Sequence, residues 1–270
     1  MSVLMGIGQQ FLMQEENRVF GLNEISIHKF KNGFSFNDNL RSIYFQTSSF
    51  VTKEIDELLK SLDFFKNKEK GEISFVSFNP QSILIPFQLY NENFKDLYFN
   101  NSLSDKNLYK ANFDILNSNE IVNLYQSEDE IFKNSLLIKN LSHITHYKTL
   151  ILNSLFEIDK KDLEEKVVYI HLQKSSFDIF YFIENKFHLN NSFIINNSDE
   201  FLYYFFYFSE QFNLKPENFS IVFLGKYDFF KDYYNGIRDF HIKLSFLTNP
   251  TNNQDYLNSH PAPFLANVFY

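Results

Sequence analysis

Two lysine-bearing turns and one later glycine are the residues whose type and position could bind a phosphate. They are Lys31-Asn32-Gly33 in SIHKFKNGFSF, Lys174-Ser175-Ser176 in YIHLQKSSFDIF, and Gly225 in FLGKYD. A lysine attracts phosphate as a point charge, and a glycine in a turn lets backbone N–H groups approach the phosphate closely. Most lysines are simply solvated, however, and that interpretation is favoured for both Lys31 and Lys174.

Two histidines are the next candidates, because His143 and His146 stand at i and i+3 and would share one face of a predicted helix. A transition metal usually needs a third ligand, and the nearest acid on a neighbouring segment is Glu130. Nothing in the spacing brings Glu130 close, so two polar residues near a helix start are the favoured interpretation. Residues 128–130, all acidic, equally predict a helix start. No metal site is therefore predicted, and the Gly-x-Ser-x-Gly motif of a hydrolase is absent from the sequence.

Composition excludes several function classes. The chain has 270 residues, no cysteine and a formal net charge of −8. It therefore has no disulfide framework and no thiol nucleophile, and it lacks the basic surface of a nucleic-acid-binding protein. The 35 phenylalanines and 16 tyrosines, with no tryptophan, are expected to fill the core rather than to stack on bases or sugars.

No secretory or membrane-spanning segment is expected. The first residues, MSVLMGIGQQFLMQ, lack a basic region before their apolar stretch. The longest purely apolar run, Phe201 to Phe208, is far shorter than the roughly 20 residues that a spanning helix needs. Together with the absence of cysteine, these features favour a cytoplasmic location.

The first part of the chain predicts a hairpin, a third strand, a helix and a fourth strand. Ile25, Ile27, Phe34 and Phe36 alternate with polar neighbours, as half-buried strands do, and Asn32-Gly33 supplies the residues with positive φ that a tight hairpin favours. The remaining predictions are a third strand over 42–50, a helix with Thr52 as N-cap, and strands over 72–78, 83–87 and 120–125. Further helices are predicted at the capping box 127–130 and over 143–156.

The second part repeats this order. It predicts strands over 166–172, 176–183 and 187–196, a helix with Ser198 as its cap, and a strand over 219–224. The helix is apolar almost all round, which predicts burial on more than one side. A helix over 227–235, stopped by Gly236, and a strand over 240–247 follow.

The two parts are related by a nearly constant shift. His171 follows His28 by 143 positions, Ser198 follows Thr52 by 146, and Phe219 follows Glu72 by 147. A shared shift over several elements predicts an internal duplication. The alternative is chance similarity in so phenylalanine-rich a sequence.

The sequence resembles a bacterial family of uncharacterised proteins, domain of unknown function 3822. The resemblance lies in ISIHKFKNGFSF, SILIPFQLY, IVNLYQ, DIFYFIENKFHLNNSF and IVFLG, which together cover most of the chain from Asn23 onward. The repeated plan also resembles the actin-like ATPase superfamily, with its ribonuclease H-like fold. This resemblance implies a duplicated α/β protein with two similar halves, each a mixed sheet flanked by helices. The expected organisation is a leader over 1–22, a first half over 23–160 and a second half over 161–270, joined by a mixed-charge linker over 159–166.

In active members of that superfamily the hairpin turns hold phosphates, an aspartate on the first strand supports Mg²⁺, and a Gly-Gly pair contacts the adenosine. Here His28 ends the first strand where an acid is expected, and Asp178 lies beyond the second turn. The second turn has no glycine, and the Gly-Gly pair is reduced to Gly225. These departures imply a degenerate nucleotide site and make ATP and Mg²⁺ doubtful cofactors.

The favoured function is therefore a non-catalytic binding or scaffold module that holds a protein partner or self-associates. The alternative is an ATP-binding enzyme or ATP-responsive switch with an unusual site around Gly33, Lys174 and Gly225.

Overall fold

The described part of the chain forms two compact units that divide after Ile158. The computed structural model describes residues 25–37, 42–47, 73–103, 107–118, 120–127, 141–158, 165–241, 243–247 and 260–266. Several predicted features lie outside these residues: the leader 1–22, the helix capped by Thr52, the helix opened at 128–130, and most of the linker 159–166.

The first unit contains eight described strands and two described α-helices. In chain order they are β1 (Ile25–Phe30), β2 (Gly33–Asn37), β3 (Ser42–Gln46), β4 (Ile73–Ser77), β5 (Ser82–Pro86), α1 (Lys95–Ser102), β6 (Ala111–Ile115), β7 (Ile121–Gln126), β8 (Leu141–His146) and α2 (Tyr147–Glu157). The main sheet has the order β3-β2-β1-β4-β8, and a smaller sheet has the order β5-β7-β6.

Strand directions in the main sheet are mixed. β1, β2 and β3 pair antiparallel, whereas β4 is parallel to both β1 and β8. The small sheet is antiparallel, and Phe99 of α1 packs in a core with Ala111, Val122 and Leu124 from its strands. The parallel strands place the carboxyl ends of β1, β4 and β8 at one edge of the main sheet.

The second unit contains one described sheet with the order β11-β10-β9-β12-β13. Its elements are β9 (Lys166–Gln173), β10 (Ser176–Ile183), β11 (Lys186–Ile194), α3 (Ser198–Gln211), β12 (Ser220–Leu224), α4 (Lys231–Arg238) and β13 (Leu244–Leu247). β9, β10 and β11 pair antiparallel, and β12 is parallel to both β9 and β13. Order and directions therefore match those of the main sheet in the first unit.

Both predicted hairpins are present, and their turns are short. Phe30 pairs with Gly33, so Lys31 and Asn32 form the first turn, and Gly33 alone there has positive φ, at 157°. Gln173 pairs with Ser176 across the turn Lys174–Ser175. The prediction of half-buried strands is wrong, because all five residues of β2 are buried. Polar side chains on these strands are buried too. They satisfy one another by hydrogen bonds, as the His28 ring and the Ser26 hydroxyl do at 2.8 Å.

The predicted helix over 143–156 is partly wrong. Residues from Leu141 to His146 form β8, which pairs with β4, and the helix begins only at Tyr147. His143 and His146 therefore lie on a strand, where residues three apart point to opposite faces. His143 is exposed and His146 is buried, so the proposed shared helical face does not exist.

Two helix predictions in the second unit are also corrected. Gly236 does not stop α4, which continues to Arg238. A Cβ atom at Gly236 would lie 2.9 Å from the Leu202 side chain, so the glycine lets α3 and α4 approach closely. α3 is buried on one face only: Phe201, Phe205 and Phe208 are buried, whereas Tyr203 and Tyr207 are exposed.

Candidate functional site

The first predicted turn is exposed, and it ends at a glycine that has no room for a side chain. Lys31 and Asn32 are exposed, and Gly33 is buried. A Cβ atom at Gly33 would lie 2.2 Å from the Phe45 carbonyl oxygen and 2.6 Å from the Tyr44 hydroxyl. The glycine is thus required by the close approach of β3, whether or not a ligand binds.

The second turn and Gly225 lie at the same edge of the second sheet, because β9 and β12 are parallel neighbours that both end there. Lys174 and Ser175 are exposed, whereas Ser176 is buried at the start of β10. The structure thus brings Lys174, Ser175, Ser176 and Gly225 to one edge. Lys31, Asn32 and Gly33 belong to the other unit.

Backbone donors at this edge are used by the chain itself. The Lys174 N–H donates to the Pro261 carbonyl at 3.0 Å, and the Gly225 N–H donates to the Leu247 carbonyl at 2.8 Å. Gly225 has φ +86°, and a Cβ there would lie 2.3 Å from the Tyr227 ring. Local packing therefore explains why residue 225 is a glycine. The N–H groups of Lys174 and Gly225 already have carbonyl partners and do not point at an open anion site.

Asp178, the acid nearest the second turn, is buried within a polar cluster. Its carboxylate bonds to His171 Nδ1 at 3.0 Å and accepts hydrogen bonds from Gln173 Nε2 at 3.3 Å and from the Ser192 hydroxyl. His171 and Asp178 face each other across β9 and β10. A carboxylate held in this way is not presented to a hydrated Mg²⁺ ion. Among the described residues, no three His, Asp or Glu side chains are grouped as metal ligands.

A second polar network, centred on Asp114 of β6, was not anticipated from the sequence. The Asp114 carboxylate accepts hydrogen bonds from the hydroxyls of Tyr125 at 2.9 Å, Thr145 at 2.9 Å and Thr149 at 2.7 Å, and from the His146 N–H at 2.8 Å. Burial nevertheless raises the pKa of Asp114, while these donors act in the opposite direction. The network joins the small sheet to β8 and the start of α2.

His146 lies at the junction of β8 and α2 in a defined tautomer. Its Nδ1 accepts hydrogen bonds from the Lys148 N–H at 3.2 Å and the Asn123 amide at 3.1 Å. Nε2 must then carry the proton, and it donates to the Asn79 carbonyl at 2.7 Å. Its ring therefore caps α2 and is engaged on both nitrogens, which suits anchoring rather than metal binding.

A weak signal for this network is present in the sequence. Asn123 interrupts the apolar run of IVNLYQ, and a polar residue inside a buried strand must find a partner. That partner, Thr149, is 26 positions away and bonds to the Asn123 amide at 3.0 Å. No local pattern could identify it.

The sheets, their order and the strand directions place the molecule among proteins with the actin-like ATPase fold. A protein of unknown function from Bacteroides thetaiotaomicron with this fold is similar over 87% of this chain and 93% of its own, with a TM-score of 0.70 and 19% identity. The PilM–PilN complex of type IV pilus biogenesis is similar over 90% of this chain and 96% of the matched chain, with a TM-score of 0.57 and 10% identity. No curated protein gives a significant match.

The particular family follows from the sequence. Residues 12–244 match the model of the protein family of unknown function DUF3822, and the chain belongs to that family. The resemblance noted in the strand motifs is thereby confirmed.

Proposed function

We propose that this protein is a non-catalytic binding or scaffold module whose actin-like platform holds a protein partner. In this proposal the platform arose by internal duplication, with one half over 23–160 and the other over 161–270. It keeps no resident ATP or Mg²⁺, and it works in the cytoplasm without binding nucleic acid or inserting into a membrane.

Matching sheet order and strand register support the duplication. Both five-stranded sheets have the same order and the same strand directions. His28 pairs with Ser35 in the first hairpin, and His171 pairs with Asp178 in the second. Each member of the second pair follows its counterpart by 143 positions, so one shift relates both strands of the hairpin.

One observation carries the proposal against nucleotide hydrolysis. The Lys174 N–H, which lies in the turn where a phosphate would need donors, is bonded to the Pro261 carbonyl. The chain thus fills the role that an anion would take. Asp178 is similarly engaged by His171, Gln173 and Ser192, which supports a site that offers neither the Lys174 N–H to a triphosphate nor the Asp178 carboxylate to its metal ion.

One finding favours a protein partner directly. PilM, a solved protein of similar fold, is found in a complex with PilN, so this fold is compatible with a role in assembly. The acidic net charge of −8 disfavours nucleic acid. No helix in the described ranges is long and apolar enough to cross a membrane.

Thermal or urea unfolding with and without Mg-ATP tests the proposal. A ligand at about a hundred times its dissociation constant stabilises a protein by about 2.7 kcal/mol. We expect no stabilisation at millimolar Mg-ATP, with Mg-GTP and Mg²⁺ alone as controls. A clear stabilisation by Mg-ATP, together with phosphate release, would contradict the proposal.

The ATP-binding enzyme or switch remains the second candidate because Lys174, Ser175 and Gly225 do share one sheet edge. Lys174→Met separates the two functions, since the exposed lysine supplies the only charge of that turn. If ATP stabilises the wild-type protein and Lys174→Met abolishes the effect, the second candidate replaces the first. Lys186→Met, at the exposed start of β11, is the matched control.

A further inference from the structure

An exposed group of aromatic rings covers the outer side of α3. Tyr203 is 65% exposed, Phe206 37% and Tyr207 51%, and Phe240, just after α4, is 59% exposed. The Phe206 and Phe240 rings contact each other with centroids 4.9 Å apart. We call these four residues the α3–α4 aromatic surface.

The aromatic surface is not needed to hold α3 in place. The opposite side of the helix already buries Phe201, Phe205 and Phe208 in the core of the second unit. Leu202 contacts α4 at Gly236. Four large rings therefore stay 37–65% exposed outside the buried inner face, and clustered exposed apolar groups of this kind mark interaction sites.

Acidic residues flank the exposed rings of α3. Over its 14 residues α3 carries Asp199, Glu200 and Glu210 but no lysine or arginine. Asp199 and Glu210 are exposed, and each lies three or four residues from an exposed ring on the same side of the helix.

The charged residues of α4 are divided between two sides of the helix, with the acidic residues on the side near α3. Asp232 and Asp239 lie four and three residues from Gly236, the position that faces Leu202, and therefore on the side of α4 near α3. Lys231 and Arg238, five and two residues from Gly236, lie on the far side. Consistently, the pKa of Tyr233 is raised, first by burial and then by the negative charges of Asp232 on α4 and Glu200 on α3.

We propose that the α3–α4 aromatic surface is the docking site for a basic amphipathic segment of a partner protein, an inference that rests on the proposed binding function. Lysine or arginine side chains of the partner lie over the Tyr203, Phe206 and Tyr207 rings in cation–π contact. The surrounding carboxylates orient them, and the partner's apolar side chains cover the exposed rings. The same acidic surroundings repel nucleic acid and anionic lipid.

Another exposed apolar group in the first unit lacks this charge pattern. Phe87, Leu89, Phe94 and Leu97 are 43–69% exposed, but Lys95 lies among them beside Glu92 and Asp96. A surface with both positive and negative side chains does not favour a partner of either charge. Phe94 and Leu97 therefore provide the matched control for removal of exposed apolar side chains.

Binding is measured by fluorescence anisotropy of labelled amphipathic peptides on the full chain. The probe is a leucine–lysine peptide of about 18 residues, enough for about five helical turns, and its counterpart carries glutamate for lysine. We expect Tyr203→Ser/Phe206→Ser/Tyr207→Ser to weaken binding of the lysine peptide by about tenfold or more. Phe94→Ser/Leu97→Ser should leave it unchanged, and the glutamate peptide should bind the wild-type protein at least about tenfold more weakly.

A charge variant keeps the test valid if the aromatic variant unfolds. Asp199→Asn/Glu210→Gln/Asp239→Asn leaves every ring in place and should weaken lysine-peptide binding and its salt dependence. Equal binding by all variants, equal binding of the two peptides, or a wild-type dimer lost in the aromatic variant would overturn the inference; the dimer would assign the surface to a second copy. None of these results would show that the protein binds ATP. The proposed function is tested separately, by unfolding with and without Mg-ATP.

Discussion

Asp114 shows how a single half-buried carboxyl group can connect separate parts of a unit. It accepts hydrogen bonds from β7, β8 and α2 while lying on β6 itself. Burial raises its pKa, and the four donors only partly offset that effect. The folded protein therefore binds a proton at Asp114 more tightly than the unfolded chain does.

The sign of the pH dependence follows from that raised pKa. Between the unfolded value of about 3.9 and the higher folded value, the unfolded chain has already lost the proton that the folded protein keeps. The contribution of Asp114 to the free energy of unfolding is thus greatest below this window and falls as the pH rises through it. Urea unfolding at several pH values should show this fall in the wild-type protein and a flatter profile in Asp114→Asn.

An exposed acid is the appropriate control. Glu120→Gln, at the exposed residue before β7, should keep the wild-type pH profile. If the Asp114 contribution instead grew as the pH rose, the four donors would outweigh burial and the folded pKa would be lowered.

At the scale of a single element, the start of α3 has two neighbouring candidates for its N-cap residue. The sequence predicts Ser198, but the Asn197 side chain accepts the Glu200 N–H at 2.9 Å and Ser198 is already helical. Loss of a capping side chain costs about 1 kcal/mol. Asn197→Ala should therefore lower the free energy of unfolding by about 1 kcal/mol in urea denaturation.

Ser198→Ala is the matched control for this cap. At this first helical position the capping hydrogen bond belongs to Asn197, so loss of the Ser198 hydroxyl leaves it intact, and alanine has the higher helix propensity. A larger loss in Ser198→Ala than in Asn197→Ala would show that the serine caps the helix after all.

Local patterns predicted the hairpins well because alternation and turn residues are themselves local. The limits of β10, Ser176–Ile183, agree with the prediction, and the turn after it uses Glu184 and Asn185 with φ of 48° and 65°. Burial of α3 was mispredicted because phenylalanine and tyrosine occupy both its faces, so the pattern cannot show which side packs. The β8 strand was missed because its pairing with β4 decides its conformation.

The candidate site was predictable only in part, for a related reason. Its exposed turns follow from nearby residues: Lys174 and Ser175 form the turn of the second hairpin, and Ser176 begins β10. The carbonyl groups that accept hydrogen bonds from the N–H groups of this site are remote in sequence. Pro261 is 87 positions from Lys174, and Leu247 is 22 from Gly225. Whether a turn offers its N–H groups to a ligand is therefore decided by tertiary structure, which one sequence does not reveal.

At the scale of the whole molecule, the two units have separate hydrophobic cores. Phe201 lies in the core formed by the β9–β12 strands with α3 and α4, and Phe99 lies in the core beneath the small sheet. Both side chains are fully buried. Units with their own cores can open separately, which hydrogen exchange detects as different protection in each.

Phe201→Ala and Phe99→Ala form a matched pair for this property. Removing a buried phenylalanine costs about 3–5 kcal/mol, and each 1.4 kcal/mol is tenfold in an equilibrium. We expect Phe201→Ala to lower protection of the β10 amides by about a hundredfold or more while the β7 amides keep theirs, and Phe99→Ala to do the reverse. If each variant lowered protection equally in both strands, the molecule would unfold as one cooperative body. A partner docked on α3 would then stabilise the first unit as strongly as the second.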